Sequence, residues 1–308
     1  MRGIAVRGCG IAVPDKVLTN EDLSARLDTS DDWITERTGI RERRVGGLTS
    51  AMAIEAGRAA LEAAGRTAAD VDMIVLATST PDAQVPATAA TVQHALGVHG
   101  GAFDLNAACS GFVYGLVVSA GLIATGSRGV LLIGADALSR ITDWDDRSMA
   151  VLVGDGAGAC FIEGVEGPGD LLSHNLSADG SLRHLLTCDH GGYLAMDGKE
   201  IFRRAVRVVV ESSEQALRDA GIGIEDIALL VPHQANLRII QAACQRLGMP
   251  MEKTAVVIDR YGNTSSASIP LALEDAVAAG RVQHGDLLLL SGFGGGMTWA
   301  SAVLRWGG

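Results

Sequence analysis

Cys109 stands among small residues in the stretch N-A-A-C-S-G-F, residues 106–112. The uncharged run at 113–125 predicts a helix, which places the thiol at a helix N-terminus. That position favours negative charge and stabilises a thiolate. Small neighbours also leave room for a substrate to reach the sulfur. Unpaired cysteines are often core residues, yet this setting favours a nucleophile.

Two residues distant in sequence are candidates to act together with this thiol in catalysis. His233 lies in V-P-H-Q-A-N, directly after an apolar strand predicted at 228–231. Folds of the α/β class place their sites at strand ends. Asn263 lies in R-Y-G-N-T-S-S-A-S, ahead of another predicted buried helix. An asparagine there is a common N-cap, and capping is compatible with catalysis.

A glycine-rich loop, S-G-F-G-G-G-M-T-W-A-S, follows the strand predicted at 287–290. Three consecutive glycines cost conformational entropy and need a structural or functional reason. They indicate either a tight turn or a loop whose bare N–H groups approach a ligand oxygen. An oxyanion hole needs such fixed donors. Together with the amide of Cys109, the loop would stabilise a tetrahedral intermediate.

A second glycine-rich stretch, G-D-G-A-G-A at 154–159, matches the loose dinucleotide-binding fingerprint. The segment after it, C-F-I-E-G, predicts a strand rather than a helix. No helix N-terminus is therefore available to bind a pyrophosphate. The stretch is predicted to be a tight, close-packed turn and not a cofactor loop.

Composition limits the class of protein. The 308 residues are 48% apolar and 20% charged, which is enough for a large core. The formal net charge of −11 argues against general nucleic-acid binding. Five scattered cysteines without a C-x-x-C pair indicate neither a zinc site nor a disulfide framework, and they fit a reducing cytoplasm. The uncharged stretch 105–127 contains polar residues and predicts a buried helix rather than a membrane span.

The chain also repeats itself. A-L-E-A-A-G at 60–65 reappears as A-L-R-D-A-G at 216–221, and G-V-L-L-I-G at 129–134 maps onto G-D-L-L-L-L at 285–290 with the same offset. Each half reads helix, strand, loop, buried helix, strand, and the strands are continuous apolar runs typical of sheets covered on both faces. Two copies sharing their buried helices would bring the thiol, the imidazole and the amide together near a pseudo-twofold axis.

With these motifs in place, the chain resembles bacterial β-ketoacyl-acyl-carrier-protein synthase III over essentially its full length. The matching stretches are D-T-S-D-D-W-I-T-E-R-T-G-I-R-E-R, A-A-C-S-G-F, D-R-S-M-A-V-L-V-G-D-G-A-G-A, V-P-H-Q-A-N-L-R-I-I, Y-G-N-T-S-S-A-S-I-P and F-G-G-G-M-T-W-A-S-A. The resemblance implies an α/β fold of the thiolase-like duplicated αβαβα type, with two pseudo-twofold-related halves. Residues 1–163 would carry the nucleophile, and residues 164–308 the histidine, the asparagine and the glycine-rich loop.

The resemblance also implies a catalytic Cys-His-Asn set at Cys109, His233 and Asn263, with an oxyanion donor at Gly295. The implied reaction is a decarboxylative Claisen condensation of an acyl-CoA starter with malonyl-acyl-carrier protein. It gives 3-oxoacyl-acyl-carrier protein, CoA and CO2 and initiates fatty-acid or related polyketide or specialised biosynthesis. The expected protein is a cytoplasmic homodimer that uses CoA thioesters and an acyl carrier protein. No metal, no cofactor, no nucleic acid and no membrane is expected.

By the same resemblance, Trp33 and Arg147 flank the adenine of CoA, and Arg37 meets its phosphates. Carrier-protein docking is expected at Arg238 and Arg246.

Arg203 lies near that docking face in sequence, within K-E-I-F-R-R-A-V-R at 199–207. That run is net basic in an acidic protein. An ordinary solvated helix face would give the same pattern.

The acyl pocket is expected to include Val85, Val153 and Met297. Typical fatty-acid members of the family carry bulky aromatic residues where this chain has the two valines. Val85 lies in P-D-A-Q-V-P-A-T-A-A, a loop that in the family reaches into the partner subunit's pocket. These differences favour a longer or branched starter over acetyl alone. The sequence does not fix the starter, the pathway or the cognate carrier protein.

A cysteine hydrolase or another acyltransferase could use the same Cys-His-Asn set. Papain-like hydrolases run these residues in the same chain order, but their C-G-S-C-W signature is absent and an internal duplication is not expected of them. A thiolase would want a second cysteine in the glycine-rich loop, where F-G-G-G-M has none. A non-catalytic carrier-binding module would not need the triad. The condensing enzyme is therefore the favoured interpretation.

Overall fold

The computed structural model describes residues 2–307. The outer ends of the two predicted halves, residues 1 and 308, lie outside the described residues. The α-helices are α1 Asn20–Ser24, α2 Asp31–Thr38, α3 Thr49–Ala63, α4 Thr88–Leu96, α5 Gly111–Ala124, α6 Arg147–Ala150, α7 Gly198–Ala220, α8 Leu237–Leu247, α9 Ile258–Tyr261 and α10 Ser268–Ala278. The strands are β1 Arg2–Ala12, β2 Val17–Thr19, β3 Glu42–Arg44, β4 Met73–Ala77, β5 Gly101–Leu105, β6 Gly129–Ala137, β7 Asp155–Glu166, β8 Leu171–Ala178, β9 Leu186–Thr187, β10 Ala195–Met196, β11 Ile227–Pro232, β12 Leu287–Gly294 and β13 Thr298–Arg305.

Two mixed sheets form the framework. The first has the strand order β1-β7-β6-β4-β5 and the second β8-β13-β12-β11. In the first sheet β4 pairs in parallel with β5 and β6, and in the second β11 pairs in parallel with β12. The remaining pairs, toward β1 or β8, are antiparallel. Helices α3 and α7 cover the outer faces, while α5 and α10 lie between the sheets. The five layers αβαβα confirm the predicted fold.

The two sheets match strand for strand: β1 with β8, β7 with β13, β6 with β12, and β4 with β11. Only the first sheet has a further edge strand, β5; at the corresponding edge of the second, Leu230 forms an isolated parallel bridge to Thr254. The predicted boundary between residues 163 and 164 falls inside β7, whose last residue is Glu166.

The core between the sheets explains why α5 carries no charge. Phe112 and Leu116 of α5 pack with Ile269 of α10, Val75 of β4 and Leu290 of β12, all nearly inaccessible. Each such side chain contributes about 1.5–3 kcal/mol when removed from water. A charged side chain at one of these buried positions would face apolar side chains from both sheets. No helix within residues 2–307 is both long and apolar enough to cross a membrane.

From Asp155 onward the G-D-G-A-G-A stretch is the first part of strand β7, so the prediction of a tight turn is wrong. Its glycines instead permit close packing of the central helix on the strand. A Cβ added at Gly158 would lie 2.6 Å from the Cβ of Pro270 in α10. The predicted close packing is present, but it occurs where helix α10 packs on strand β7 and not within a turn.

Candidate active site

Cys109 lies in a single 3₁₀ turn, Ala108–Ser110, and α5 begins two residues later at Gly111. Ala108 adopts a left-handed conformation with φ 48°. A hydroxyl network fixes the turn to the second half of the chain. Ser110 Oγ donates to Ala107 O at 2.7 Å, and Thr298 Oγ1 donates to the same carbonyl at 2.9 Å. The thiol is thus held by contacts that span the two sheets.

The resting thiol of Cys109 is protonated, contrary to the expectation from its helix position. Burial raises its pKa to about 12, and the nearby Asp136 carboxylate adds to the rise. A side-chain hydrogen bond with Ser265 acts in the opposite direction. This rise is opposite in direction to the shift that a helix N-terminus favours, because desolvation outweighs the field of the helix.

His233 follows β11 directly, as the sequence predicts. Its backbone N–H donates to Ser291 O at 2.7 Å, which holds it to the neighbouring strand β12. The ring packs edge-on against Phe293, with 5.4 Å between ring centroids. The side chain is buried, and this burial lowers the pKa of His233 to about 3. The imidazole is therefore neutral at physiological pH.

Asn263 precedes the second buried helix. Its Oδ1 accepts the backbone N–H of Ser265 at 2.9 Å, and Ser265 adopts φ 52°. Because this bond identifies which amide atom of Asn263 is the oxygen, the Nδ2 group is free to donate to another acceptor. Backbone bonds with Leu152 and Gly154 tie Asn263 to the first half of the chain.

These three residues converge on two adjoining cavities. The inner cavity, of about 270 Å³, is lined by Ser79, Asn106, Ala108, Cys109, Leu138, Ile141, Met149, Leu152, Val153, Leu186, Thr187, Cys188, Leu194, Met196, Asn263, Ser265 and Gly295. The outer cavity, of about 280 Å³, is lined by Cys109, His233 and Asn263 together with Trp33, Arg37 and residues of α7 and α8. Cys109 and Asn263 line both, so the thiol lies where the two cavities meet. An elongated thioester can pass through the outer cavity and leave its acyl group in the inner one.

The glycine-rich loop lies against the nucleophile. Gly295 lines the inner cavity with Cys109. A Cβ added at Gly294 would lie 2.5 Å from the backbone nitrogen of Cys109, so only glycine fits there without displacing the turn. The loop and the Cys109 amide are therefore adjacent, as an oxyanion hole requires.

Of the three residues expected in the acyl pocket, Val153 lines the inner cavity. Met297 does not; it is buried beneath the loop in a cluster with Phe293 and Ile201, so that expectation is wrong. Val85 is 83% exposed and lines neither cavity of the single chain.

Trp33, Arg37 and Arg147 form one surface group, although the chain separates Arg147 from the other two. The guanidinium carbons of Arg37 and Arg147 lie 4.6 and 4.9 Å from the Trp33 ring centroid. Trp33 and Arg37 line the outer cavity. Asn236, the N-cap of α8, donates from Nδ2 to Arg37 O at 3.0 Å and fixes α2 beside α8.

The expected docking residues lie on two neighbouring helices. Arg238 and Arg246 are exposed on α8, and the guanidinium carbon of Arg238 lies 5.8 Å from the Phe202 ring centroid. Phe202 lines the outer cavity. Arg203 is exposed on α7 but forms an ion pair with Glu200 at 2.7 Å.

Asp136 is a site residue that sequence reasoning missed. Its buried carboxylate accepts bonds from the Thr80 backbone and hydroxyl and, across the two halves, from the Ser266 N–H and hydroxyl. It thereby anchors the turn that contains Ser265. A single acid within the apolar strand G-V-L-L-I-G-A-D-A was the available signal. Among residues 2–307, no group of three or more His, Cys, Asp or Glu side chains is arranged to hold a metal ion.

The comparisons with known proteins point to one family. Residues 103–180 match the family model described as 3-oxoacyl-[acyl-carrier-protein] synthase III, and residues 217–306 match the model of its C-terminal part. A β-ketoacyl-[acyl-carrier-protein] synthase III from Roseiflexus sp. (strain RS-1) is 51% identical, with 98% of each chain covered.

Two solved structures extend the likeness. The 3-oxoacyl-[acyl-carrier-protein] synthase III from Aquifex aeolicus VF5 superimposes with a TM-score of 0.96 at 46% identity, covering 99% of this chain and all of that one. A priming β-ketosynthase from the R1128 polyketide pathway gives a TM-score of 0.95 at 36% identity, covering 99% of this chain and 96% of that one.

Proposed function

The chain belongs to the 3-oxoacyl-[acyl-carrier-protein] synthase III family, and on that premise we propose that it condenses an acyl-CoA starter with malonyl-acyl-carrier protein. The products are 3-oxoacyl-acyl-carrier protein, CoA and CO2, which makes the enzyme an acyltransferase that initiates fatty-acid or related biosynthesis. The convergence of Cys109, His233 and Asn263 on two adjoining cavities carries the proposal.

In the first half-reaction, Cys109 takes the acyl group from CoA. A bond forms between Cys109 Sγ and the acyl carbon while the bond to the CoA sulfur breaks, and the thiol proton ends on CoA. Because the pKa of the free thiol is about 12, ionisation of the sulfur has to accompany binding of the thioester. The amides of Cys109 and Gly295 would donate to the oxyanion that develops on the acyl carbonyl.

In the second half-reaction, malonyl on the carrier protein loses CO2. The electron pair of the broken C–C bond passes to an enolate, whose oxygen needs hydrogen-bond donors. Asn263 has a free Nδ2 for this purpose, since its Oδ1 is held by the backbone N–H of Ser265. His233 supplies the second donor from the outer cavity. The enolate carbon then attacks the acyl-cysteine and releases the Cys109 sulfur.

This chemistry balances without a resident cofactor. Both reacting groups arrive as thioesters, and release of CO2 drives formation of the new C–C bond. The five cysteines are all free thiols, which supports a reducing cytoplasm as the place of action.

The outer cavity is proposed to bind CoA and then the carrier arm. Trp33 would stack on the adenine with Arg147, and Arg37 would meet the phosphates, which requires the two arginines to separate from the indole. Arg238 and Arg246 would dock the acidic carrier protein next to the cavity mouth. Arg203 contributes less to this docking because Glu200 already neutralises part of its charge.

The inner cavity is proposed to hold the starter acyl chain. Its wall includes Leu138, Ile141, Met149 and Val153, which are apolar, and the short Val153 leaves room beyond the first carbons. We therefore assign a longer or branched starter to this chain.

A homodimer that forms through the open edge of the first sheet is proposed. Among residues 2–307, its edge strand β5 pairs only with β4, so the other backbone edge of β5 is available to a second copy. Val85 and Tyr193 are exposed at 83% and 59% on loops that line or adjoin an open cleft beside the inner cavity. Large exposed apolar side chains of this kind mark interaction surfaces.

Intact-mass analysis with a panel of acyl-CoAs, followed by addition of malonyl-acyl-carrier protein, tests the function. We expect an acyl-enzyme adduct and then a 3-oxoacyl-carrier product. A hydrolase would release free acid instead. Formation of free acid with no carbon–carbon bond would contradict the proposal.

A further inference from the structure

The hydroxyl of Ser268 is buried beside the imidazole of His233. Ser268 is the first residue of α10 and is 1% exposed. Its Oγ lies 2.6 Å from His233 Nδ1, and the backbone N–H of Gln234 donates to the same Oγ at 3.3 Å. Within the described part of the chain, these are the hydrogen-bond partners of Ser268 Oγ.

Counting hydrogens decides the direction of the shorter bond. A hydroxyl has one proton to donate and two lone pairs to accept. If the His233 proton sat on Nδ1, Ser268 Oγ would accept from both neighbours and its own buried proton would have no acceptor. Leaving a buried donor unpaired is costly. If Nδ1 instead carries a lone pair, the Ser268 hydroxyl donates to it and every group is satisfied.

We propose that Ser268 is a positioning residue that holds His233 in the tautomer with its proton on Nε2. The contacts with Ser291 and Phe293 fix the backbone and the plane of the ring, and Ser268 fixes which nitrogen carries hydrogen. His233 then presents an N–H donor to the outer cavity that it lines with Cys109.

This assignment, which rests on the condensation proposed above, separates the two half-reactions. An Nε2–H group can donate to the enolate oxygen that forms as the malonyl C–C bond breaks. The same atom cannot accept the Cys109 proton, so in acylation that proton goes to the departing CoA sulfur. The neutral imidazole that results from burial agrees with a role as a donor.

Nitrogen NMR of the full chain, labelled with ¹⁵N-histidine, tests the tautomer without substrate. The chain has seven histidines, and His233 is assigned by the signals lost in His233→Gln. We expect a protonated Nε2 and an unprotonated Nδ1 in the unaltered protein, and a mixture of tautomers in Ser268→Ala. A protonated Nδ1 in the unaltered protein overturns the proposal.

Kinetics of Ser268→Ala provide the second test. Condensation is expected to fall roughly tenfold, while acylation by free acyl-CoA changes less than about twofold. Ser268→Thr, which keeps a hydroxyl, should recover most of the condensation.

Ser119→Ala is the matched control, because Ser119 is a buried serine of α5 whose hydroxyl donates only to the helix backbone at Gly115. It should leave both half-reactions unchanged. Equal losses of acylation and condensation in Ser268→Ala would show a merely structural role. If the unaltered protein forms no condensation product, the proposed function fails, whereas the NMR result still decides the role of Ser268.

Discussion

Asn106 and Asn263 occupy equivalent positions ahead of the two buried helices and fold the chain in the same way. Asn106 Oδ1 accepts the backbone N–H of Ala108 at 3.1 Å, and Asn263 Oδ1 accepts that of Ser265 at 2.9 Å. Ala108 and Ser265 have φ values of 48° and 52°. Both halves therefore build the same asparagine turn, and only the first places a thiol, Cys109, directly after it.

Asn263→Ala should separate the half-reactions. Condensation is expected to fall a hundredfold to a thousandfold, since one oxyanion-type donor contributes ~3–4 kcal/mol. Formation of the acyl-enzyme should largely survive, because it depends on Cys109 and the glycine-rich loop. Intact-mass acylation rates and product formation are measured side by side. Proportional loss of both activities would contradict this division of roles.

Cys109 should be the only residue acylated by acyl-CoA.

Alkylation of Cys109 by iodoacetamide in the free protein should rise with pH across 7–9 without a plateau, because the pKa of its thiol is raised to about 12. Peptide mapping follows Cys109 separately from the exposed Cys188. A plateau near neutral pH would show that the resting sulfur is already a thiolate.

Val153→Phe should shrink the inner cavity within the same chain. Overpacking a fitted site costs ~1–3 kcal/mol, so kcat/KM should fall more for long starters than for acetyl-CoA.

Val85→Phe tests the partner contribution, since Val85 lines no cavity of its own chain that adjoins Cys109. It should change starter preference only if a second copy brings its loop to the cavity. Sedimentation analysis of the same variant measures the oligomeric state. A dimer with unchanged starter preference would remove Val85 from the acyl pocket.

Arg238→Glu should raise KM for malonyl-carrier protein and leave acylation by free acyl-CoA intact, because docking of an acidic carrier depends on charge complementarity. The salt dependence of the carrier step should weaken as well. Arg58→Glu makes the same charge change at an exposed position of α3, on the outer face of the first sheet, and serves as the control. Equal effects of the two variants would indicate only a change in net charge.

His233 should make the protein less stable in acid. Burial lowers its pKa from 6.5 to about 3, so between these pH values the unfolded chain binds a proton that the folded chain does not. Stability is therefore lost as pH falls from 6.5 toward 3, by about 2 kcal/mol at pH 5. Denaturant unfolding of the unaltered protein and His233→Gln measures the difference. A His233→Gln profile parallel to that of the unaltered protein would contradict the prediction.

The layered fold and the three residues at its centre follow from the pattern of the sequence. Continuous apolar strands require cover on both faces, and the repeated pattern requires two copies of one unit. His233 at a strand end and Cys109 before an uncharged helix follow from that repeat, because equivalent ends of equivalent elements meet at the pseudo-twofold axis. Local sequence was sufficient wherever a residue's position depended on the period and order of the elements.

The electrostatics of the site depend on contacts between segments that are distant in sequence. A helix N-terminus favours a thiolate at Cys109, yet burial raises the pKa of the thiol to about 12. The proton position of His233 depends on Ser268, thirty-five residues away. The place of Met297 depends on how the loop packs over α7. Burial and hydrogen-bond partners come from segments distant in sequence. No local pattern therefore predicts how they together set the pKa of a thiol or the tautomer of an imidazole.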